Sequence, residues 1–339
     1  MKALVLAGGL GIRLRPLTRN LPKPMVPIVN RPLLEHTILL LKKHNITEIV
    51  FLLYYLPDLI KDHFKDGSQF GAKISYITAD VDYATAGAVK LASELVDGTF
   101  LVVSGDVITD LNISDFVQFH REKKALASVG LTSVDNPSPF GIAVADEQDK
   151  ITQFSEKPAA DQIFSHQVNM GIYLLEPEIF GWIPEKREYF FAKDVFPELV
   201  KKQERIYGFN DNCYWLDVGN FAAYQQVHWD FFENRINLSI KEELQDGILQ
   251  GENCEIGRAV SIEGNVVLGN NCKIDDHVIL NNSVIGDNCR VGQSCSLRNS
   301  VVWNDVEIDE NCTFDYNVVE RGIKIASKTH AKENNFILD

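Results

Sequence analysis

The chain has 339 residues, 45% of them apolar, and a formal net charge of -14 from 33 Lys and Arg against 47 Asp and Glu. That length allows two domains with full cores, and the acidic balance excludes nucleic acid and anionic membranes as expected partners, so an anionic ligand must meet a local basic cluster. The apolar run at residues 3–7 is too short for a secretory signal, no stretch approaches the ~20 apolar residues of a membrane span, and a cytoplasmic protein is expected.

Residues 2–8 (KALVLAG), 48–54 (EIVFLLY), 73–78 (KISYIT) and 99–105 (TFLVVSG) read as strands, and the unbroken apolar runs predict burial on both faces for the first, second and fourth. Residues 31–45 and 86–96 carry helical spacing between them. Strand and helix in alternation predict an α/β domain with a mostly parallel sheet. Gly8, Gly9 and Gly11 follow the first strand directly, where an open α/β sheet places its ligand crevice. Glycines there admit close backbone approach and aim N–H groups at an anion, although the same cluster also makes a plain tight turn. Walker A is excluded because G-x-x-x-x-G-K-[ST] is absent, and the dinucleotide fingerprint fails at Leu14. Arg13, Arg15, Arg19 and Lys23 come next, interleaved with Pro16, Pro22 and Pro24. Guanidinium forks clamp phosphate oxygens and prolines fix an extended segment, so the cluster points to a polyphosphate guest.

Residues 221–240 predict an amphipathic connecting helix, with Tyr224, Val227, Phe231 and Phe232 packed into a core. From Ile256 an aliphatic residue recurs every six positions, with five-residue steps at Leu280, Leu297 and Phe314, 17 residues apart. This period predicts a parallel β-helix of hexapeptide repeats, three short rungs to a coil. Cys254, Cys272, Cys289, Cys295 and Cys312 fall at the fifth hexad position, which valines occupy elsewhere, so they read as buried thiols rather than metal ligands. The expected domains are 1–235, a linker at 236–250, a β-helix at 251–330 and a tail at 331–339.

Read whole, LAGGLGIRLRPLTRNLPKPM resembles the signature of the sugar-1-phosphate nucleotidyltransferases, G-G-x-G-T-R-L-x-P-L-T followed by P-K-P. The resemblance continues through SGDVITD at Ser104, PFGIAVADEQDKITQFSEKP at Pro139, VNMGIYLLEP at Val168, DVFPELV at Asp194 and YWLDVGN at Tyr214. It implies a Rossmann-like catalytic domain, a left-handed β-helix, and attack of a sugar 1-phosphate on the α-phosphate of a nucleoside triphosphate with loss of pyrophosphate. The residues LNI and FVQFH after Asp106 are most similar to GDP-mannose pyrophosphorylases, which implies GTP and mannose 1-phosphate as substrates.

The resemblance implies further roles residue by residue. Ala7, Gly8, Gly9 and Gly11 of the first loop and Thr85 and Gly87 of a second would bind nucleotide. Arg13 would hold the β and γ phosphates and Lys23 the reacting phosphate. Asp106 and Asp217 would hold Mg²⁺, although an aspartate after a strand is equally a loop cap. Lys157 would hold the sugar phosphate, Glu156 and Asn169 the sugar hydroxyls, and Gly141 and Gly171 would admit the sugar to the backbone. Glu156 and Lys157 also make an ordinary surface pair. Asp110 reads as structural.

The pattern is broken in three places. The family's E-x-x-P-L-G-T-A-G is here ADVDYATAG, residues 79–87, where a methyl at Ala84 is expected to limit close approach and any positive φ. Ile12 replaces a threonine, and Asn220 with Phe221 replaces Thr-Pro. Another substrate pair (dTTP, UTP or ATP with glucose 1-phosphate) and a weakly active regulatory subunit paired with a paralogue are the alternatives. His277, the lone histidine within the clear repeats, raises an acyltransferase as a third, against a solvated rung residue. The resemblance implies that the β-helix mediates homo-oligomer contacts, its end capped by the terminal ENNFILD or by a partner chain.

Overall fold

The computed structural model describes residues 1–332, which leaves the expected ENNFILD cap outside the described residues. The chain forms two compact units, Met1–Met25 with Leu33–Gly219, and Val26–Pro32 with Asn220–Asp339.

In the first unit, β1 (Lys2–Leu6), β2 (Glu48–Leu53), β3 (Lys73–Thr78) and β4 (Phe100–Ser104) pair in parallel in the order β3-β2-β1-β4. The short β5 (Val107–Thr109) follows, then β6 (Ala127–Ser133), β7 (Gly141–Ala145), β8 (Ile151–Glu156), β9 (Gln167–Leu175), β10 (Ile206–Asn210) and β11 (Trp215–Asp217). β9 runs antiparallel beside β4 and opens a wing that carries β7 and β8 on one branch, β6 and β10 on the other. Helices α1 (Leu33–Lys43), α2 (Pro57–Phe64), α3 (Ala84–Lys90), α4 (Ile113–Lys123) and α5 (Phe196–Lys201) cover the sheet.

The period of two along the central strands feeds two cores. Leu4, Leu52 and Val102 pack with Ala86 and Val89 of α3 and Phe196 of α5. Val5, Phe51 and Val103 pack with Leu34 and Ile38 of α1, Phe64 of α2 and Phe116 of α4. Each fully buried side chain of this size contributes about 1.5–3 kcal/mol, so both faces are closed and the open ends of the strands are what remains for a ligand.

The second unit begins differently from the expected boundary at residue 235, because α6 (Phe221–Phe232) belongs to it. Asn220 caps that helix by accepting from the Ala223 amide at 3.0 Å. The four apolar residues predicted to pack, Tyr224, Val227, Phe231 and Phe232, are all buried. The Tyr224 hydroxyl donates to the Pro27 carbonyl at 3.0 Å and accepts from Nε1 of Trp303 at 2.8 Å. Residues 26–32 form a tight hairpin whose central Val29 and Asn30 both have positive φ, 50 and 63°. Its Val29 amide donates to Nε2 of buried His228, and Nδ2 of Asn30 donates to the Ile285 carbonyl at 2.6 Å.

The hexads stack as predicted into parallel rungs, with Leu280 beside Leu297 and Leu297 beside Phe314. Corners turn at left-handed residues such as Asn271, Asn288 and Asp305, whose side chains hydrogen-bond up the stack at 3.0 and 2.9 Å. The thiols do more than imitate valine. Sγ of Cys272 donates to the Gly286 carbonyl and Sγ of Cys289 to the Trp303 carbonyl, at 3.1 and 3.0 Å. Burial pushes the Cys289 thiol up to about 12, which leaves it inert. His277 is an exposed left-handed corner whose amide donates to the Arg258 carbonyl, the position of a solvated rung residue.

Candidate active site

The glycine loop leaves the end of β1. Gly11 has φ 61° and its missing Cβ would sit 3.0 Å from both Lys23 and Thr18, so the loop closes only with glycine there. Thr18 Oγ1 locks the turn by donating to the Gly11 carbonyl at 2.7 Å. A Cβ on Gly9 would meet nothing within 4 Å, which marks the open side of the loop. The turn sends Lys23 inward until only 6% of it is exposed.

Asp106 and Asp217 are brought together by one short antiparallel pair. β5 pairs with β11 so that Val107 lies opposite Asp217, and the Val218 amide donates to the Asp106 carbonyl at 3.0 Å. Nζ of Lys23 then donates to Oδ2 of Asp106 at 2.6 Å and Oδ1 of Asp217 at 3.2 Å. Burial and the Asp106 charge hold the Asp217 carboxyl above its ordinary range, outweighing Lys23 and Arg13. Burial alone would lower the Lys23 pKa, but the two carboxylates raise it overall. Two hard oxygen donors gathered on one cation suit a divalent ion such as Mg²⁺. Among the described residues no cluster of three or more His, Cys, Asp or Glu forms, so such an ion would complete its shell with water and substrate oxygens. Asp110 is structural, as expected, its Oδ1 accepting from the Tyr214 amide at 2.7 Å.

Two cavities open on this centre. The smaller, about 260 Å³, is walled by Gly8, Gly9, Tyr54, Ile77, Val81 and Tyr83 among others. The larger, about 530 Å³, is lined by Arg13, Gly141, Glu156, Lys157, Asn169 and Gly171 among others. Thr85, Ser104, Asp106 and Phe190 line both, so the paired carboxylate stands where two bound molecules would meet.

The larger cavity is shaped by its glycines. A Cβ on Gly141 would lie 2.6 Å from Oε2 of Glu156, and one on Gly171, at φ 74°, would lie 2.6 Å from Oγ of Ser104. Asn169 is held rigid, Nδ2 donating to the Tyr173 hydroxyl and Oδ1 accepting from the Gly171 amide, both at 2.9 Å. Glu156 is pushed up by burial despite Lys157, whose Nζ lies 3.8 Å from it. Not every residue singled out in the sequence reaches a cavity. Arg15 and Arg19 line neither, and nor do Ala7, Gly11 and Gly87. The Ala7 amide is taken by the Leu52 carbonyl. Gly87 serves packing, since a Cβ would meet the Arg187 carbonyl at 2.5 Å.

The family described as nucleotidyl transferase matches residues 2–234. The chain belongs to that family. Its members include the sugar-1-phosphate nucleotidyltransferases, and the chain is 35% identical to the UTP–glucose-1-phosphate uridylyltransferase of Synechocystis over 82% of its length and 76% of that protein. It is 37% identical to the mannose-1-phosphate guanyltransferase of Candida albicans over 65% of its own length and 61% of that protein. A solved structure from Bacillus anthracis, assigned as a glucose-1-phosphate thymidylyltransferase, superposes with TM-score 0.63 at 28% identity, covering 70% of this chain and 97% of that one. Residues 245–339 match the EIF2B subunit epsilon LbH domain, a left-handed β-helix.

Against the family's pattern, one expectation is corrected. Ala84 does not forbid the left-handed turn; it adopts φ 55° where the family has glycine. Oδ1 of Asp82 accepts from the Ala84 amide at 2.9 Å and holds the turn in place. The sequence also missed Ser104, Tyr173, Phe190 and Lys193. Ser104 could have been found from its place just before Gly105 and Asp106 at a strand end. Lys193 gave no signal, because it sits in a π-helical turn at Phe191–Val195.

Proposed function

We propose that the protein transfers a nucleotidyl group from a nucleoside triphosphate to a sugar 1-phosphate, most specifically GTP to mannose 1-phosphate, releasing pyrophosphate. The observation that carries this reading is the meeting of an apolar and a polar cavity at the Asp106–Lys23 pair. A base and ribose suit the smaller cavity, a phosphosugar the larger, and together they fall in the size range of small-molecule sites.

In the reaction an oxygen of the sugar phosphate attacks the α-phosphorus, a P–O bond forms, and the bond to pyrophosphate breaks. Positioning and cations do most of this work. Asp106 and Asp217 would hold Mg²⁺, which when bound neutralises phosphate charge. Lys23 stands beside the reacting phosphate and Arg13 beside the leaving one. Lys157 holds the sugar phosphate while Glu156 and the fixed amide of Asn169 select hydroxyls. Ala7, Gly11 and Gly87 contribute by shaping the loops, Gly8, Gly9 and Thr85 by contact with the nucleotide. We read the protein as cytoplasmic and as a homo-oligomer through its β-helix. Among the described residues, no helix is long and apolar enough to cross a membrane.

The test is pyrophosphate release with Mg²⁺, scanning GTP, dTTP, UTP, ATP and CTP against mannose 1-phosphate and glucose 1-phosphate. Turnover led by GTP with mannose 1-phosphate is expected. Another leading pair keeps the reaction and changes the substrates, and silence from folded, nucleotide-binding protein overturns the enzyme in favour of a regulatory subunit.

A further inference from the structure

We propose that Asp82 reads the base and selects guanine by accepting from its N1–H and N2–H₂ donors, a proposal that rests on the nucleotidyl-transfer reading above. Three charged side chains line the smaller cavity: Lys23, Asp106 and Asp82. The first two bind each other, and Asp106 also lines the larger cavity. Asp82 lines the smaller cavity alone, among Ile77, Ala79, Val81 and Tyr83. Apolar walls suit the faces of a planar base, and a single carboxylate among them dictates which edge can dock.

That carboxylate is fixed and has capacity to spare. Oδ1 accepts from the Ala84 amide at 2.9 Å, and no hydrogen bond to Oδ2 forms among the described residues. An ionised carboxylate offers about four acceptor sites. Guanine alone of the common bases sets two donors side by side on its pairing edge. Adenine and cytosine set an acceptor beside their amino group, and uracil and thymine flank one N–H with two carbonyls. Asp82 stands at the exposed rim of the cavity, and against each of these bases its carboxylate meets an acceptor, a mismatch that leaves polar groups unpaired. The family's segment opens on a glutamate. Here that position is Ala79, whose methyl lines the cavity, and the carboxylate lies three residues later.

The experiment compares wild type with Asp82→Asn, measuring kcat/KM and calorimetric Kd for GTP, ITP and XTP. Asparagine keeps an oxygen for the Ala84 amide, so the turn survives and melting temperature checks it. Its NH₂ opposes the guanine donors and matches the C2 carbonyl of xanthine. The wild type is expected to favour GTP over ITP, which lacks the 2-amino group, and the variant to lose about 10- to 100-fold on GTP while gaining on XTP. An unchanged GTP-to-XTP ratio in the variant overturns the role of Asp82 and leaves guanylyl transfer standing. A wild type that prefers dTTP or UTP overturns the guanine reading itself, and with it this proposal. Should the variant fail to fold, the wild-type GTP, ITP and XTP ratios still decide: equal use of GTP and ITP overturns the contact to the 2-amino group.

Discussion

Lys23 donates to Asp106 across 2.6 Å, and the same ammonium reaches Asp217 at 3.2 Å. One lysine thus joins a glycine-loop turn to two carboxylates that would otherwise repel. The Lys23 pKa is raised overall, so its contribution to stability is fully present at neutral pH and is lost only as pH rises through a value above 10.5.

Replacing Lys23 with Met removes that charge while keeping the stem's packing. Breaking a fully buried pair costs roughly 3–5 kcal/mol, and the partial exposure of Asp106 should bring this to about 2 kcal/mol. Urea denaturation reads the loss. On the proposed reading, in which Lys23 faces the reacting phosphate, turnover should fall at least about 100-fold, because such a cation acts mainly on the transition state. A variant with wild-type turnover would remove Lys23 from the chemistry.

Ala84 holds a left-handed conformation that costs an alanine roughly 1 kcal/mol or more. Ala84→Gly should therefore stabilise the protein by about 0.5–1 kcal/mol after the entropy that glycine gains in the unfolded chain. Ala84→Val should destabilise it, since a β-branched residue tolerates positive φ least. Differential scanning of both variants decides; a glycine variant that melts lower would show the turn is not strained.

His120 is 1% exposed, with Nδ1 at 2.8 Å from the Ser128 hydroxyl and Nε2 at 3.1 Å from Glu176. Burial lowers its pKa below 6.5, outweighing the raising effect of Glu176. A depressed pKa means that the folded state resists the proton which the unfolded chain takes up below 6.5. Stability from this group is thus present above 6.5 and is lost as pH falls through the folded value. His120→Gln should show a shallower loss in urea titrations between about pH 7 and pH 5. An acid limb identical to wild type would assign the loss to other groups.

The strands, the glycine loop and the hexads were legible because each obeys a local period or a local φ demand. Gly11 is one case: its turn closes on Thr18 and Lys23, seven and twelve positions away. The packing of Gly87 was not legible for the opposite reason. The residue looks like a loop glycine, yet a carbonyl 100 residues on fixes it. Ala84 misled because the rule that glycine takes positive φ ignores the compensating bond from Asp82. Nothing local to residues 26–32 foretold their unit either, since His228 and Ile285, which bind the hairpin, lie about 200 and 255 positions along the chain. The pairing of Asp106 with Asp217 was implied only by motif, and β5 with β11 supplies its physical cause.

The hairpin at Val26–Pro32 makes the chain interleaved rather than modular. It leaves the first unit three residues after Lys23 and the chain rejoins that unit at Leu33. A cut at residue 219 therefore strands seven residues from the partners that hold them, Tyr224, His228 and Ile285. Anyone grafting a different β-helix onto this catalytic unit would have to transplant the hairpin as well, because a graft joined only at residue 220 would leave those seven residues without their partners.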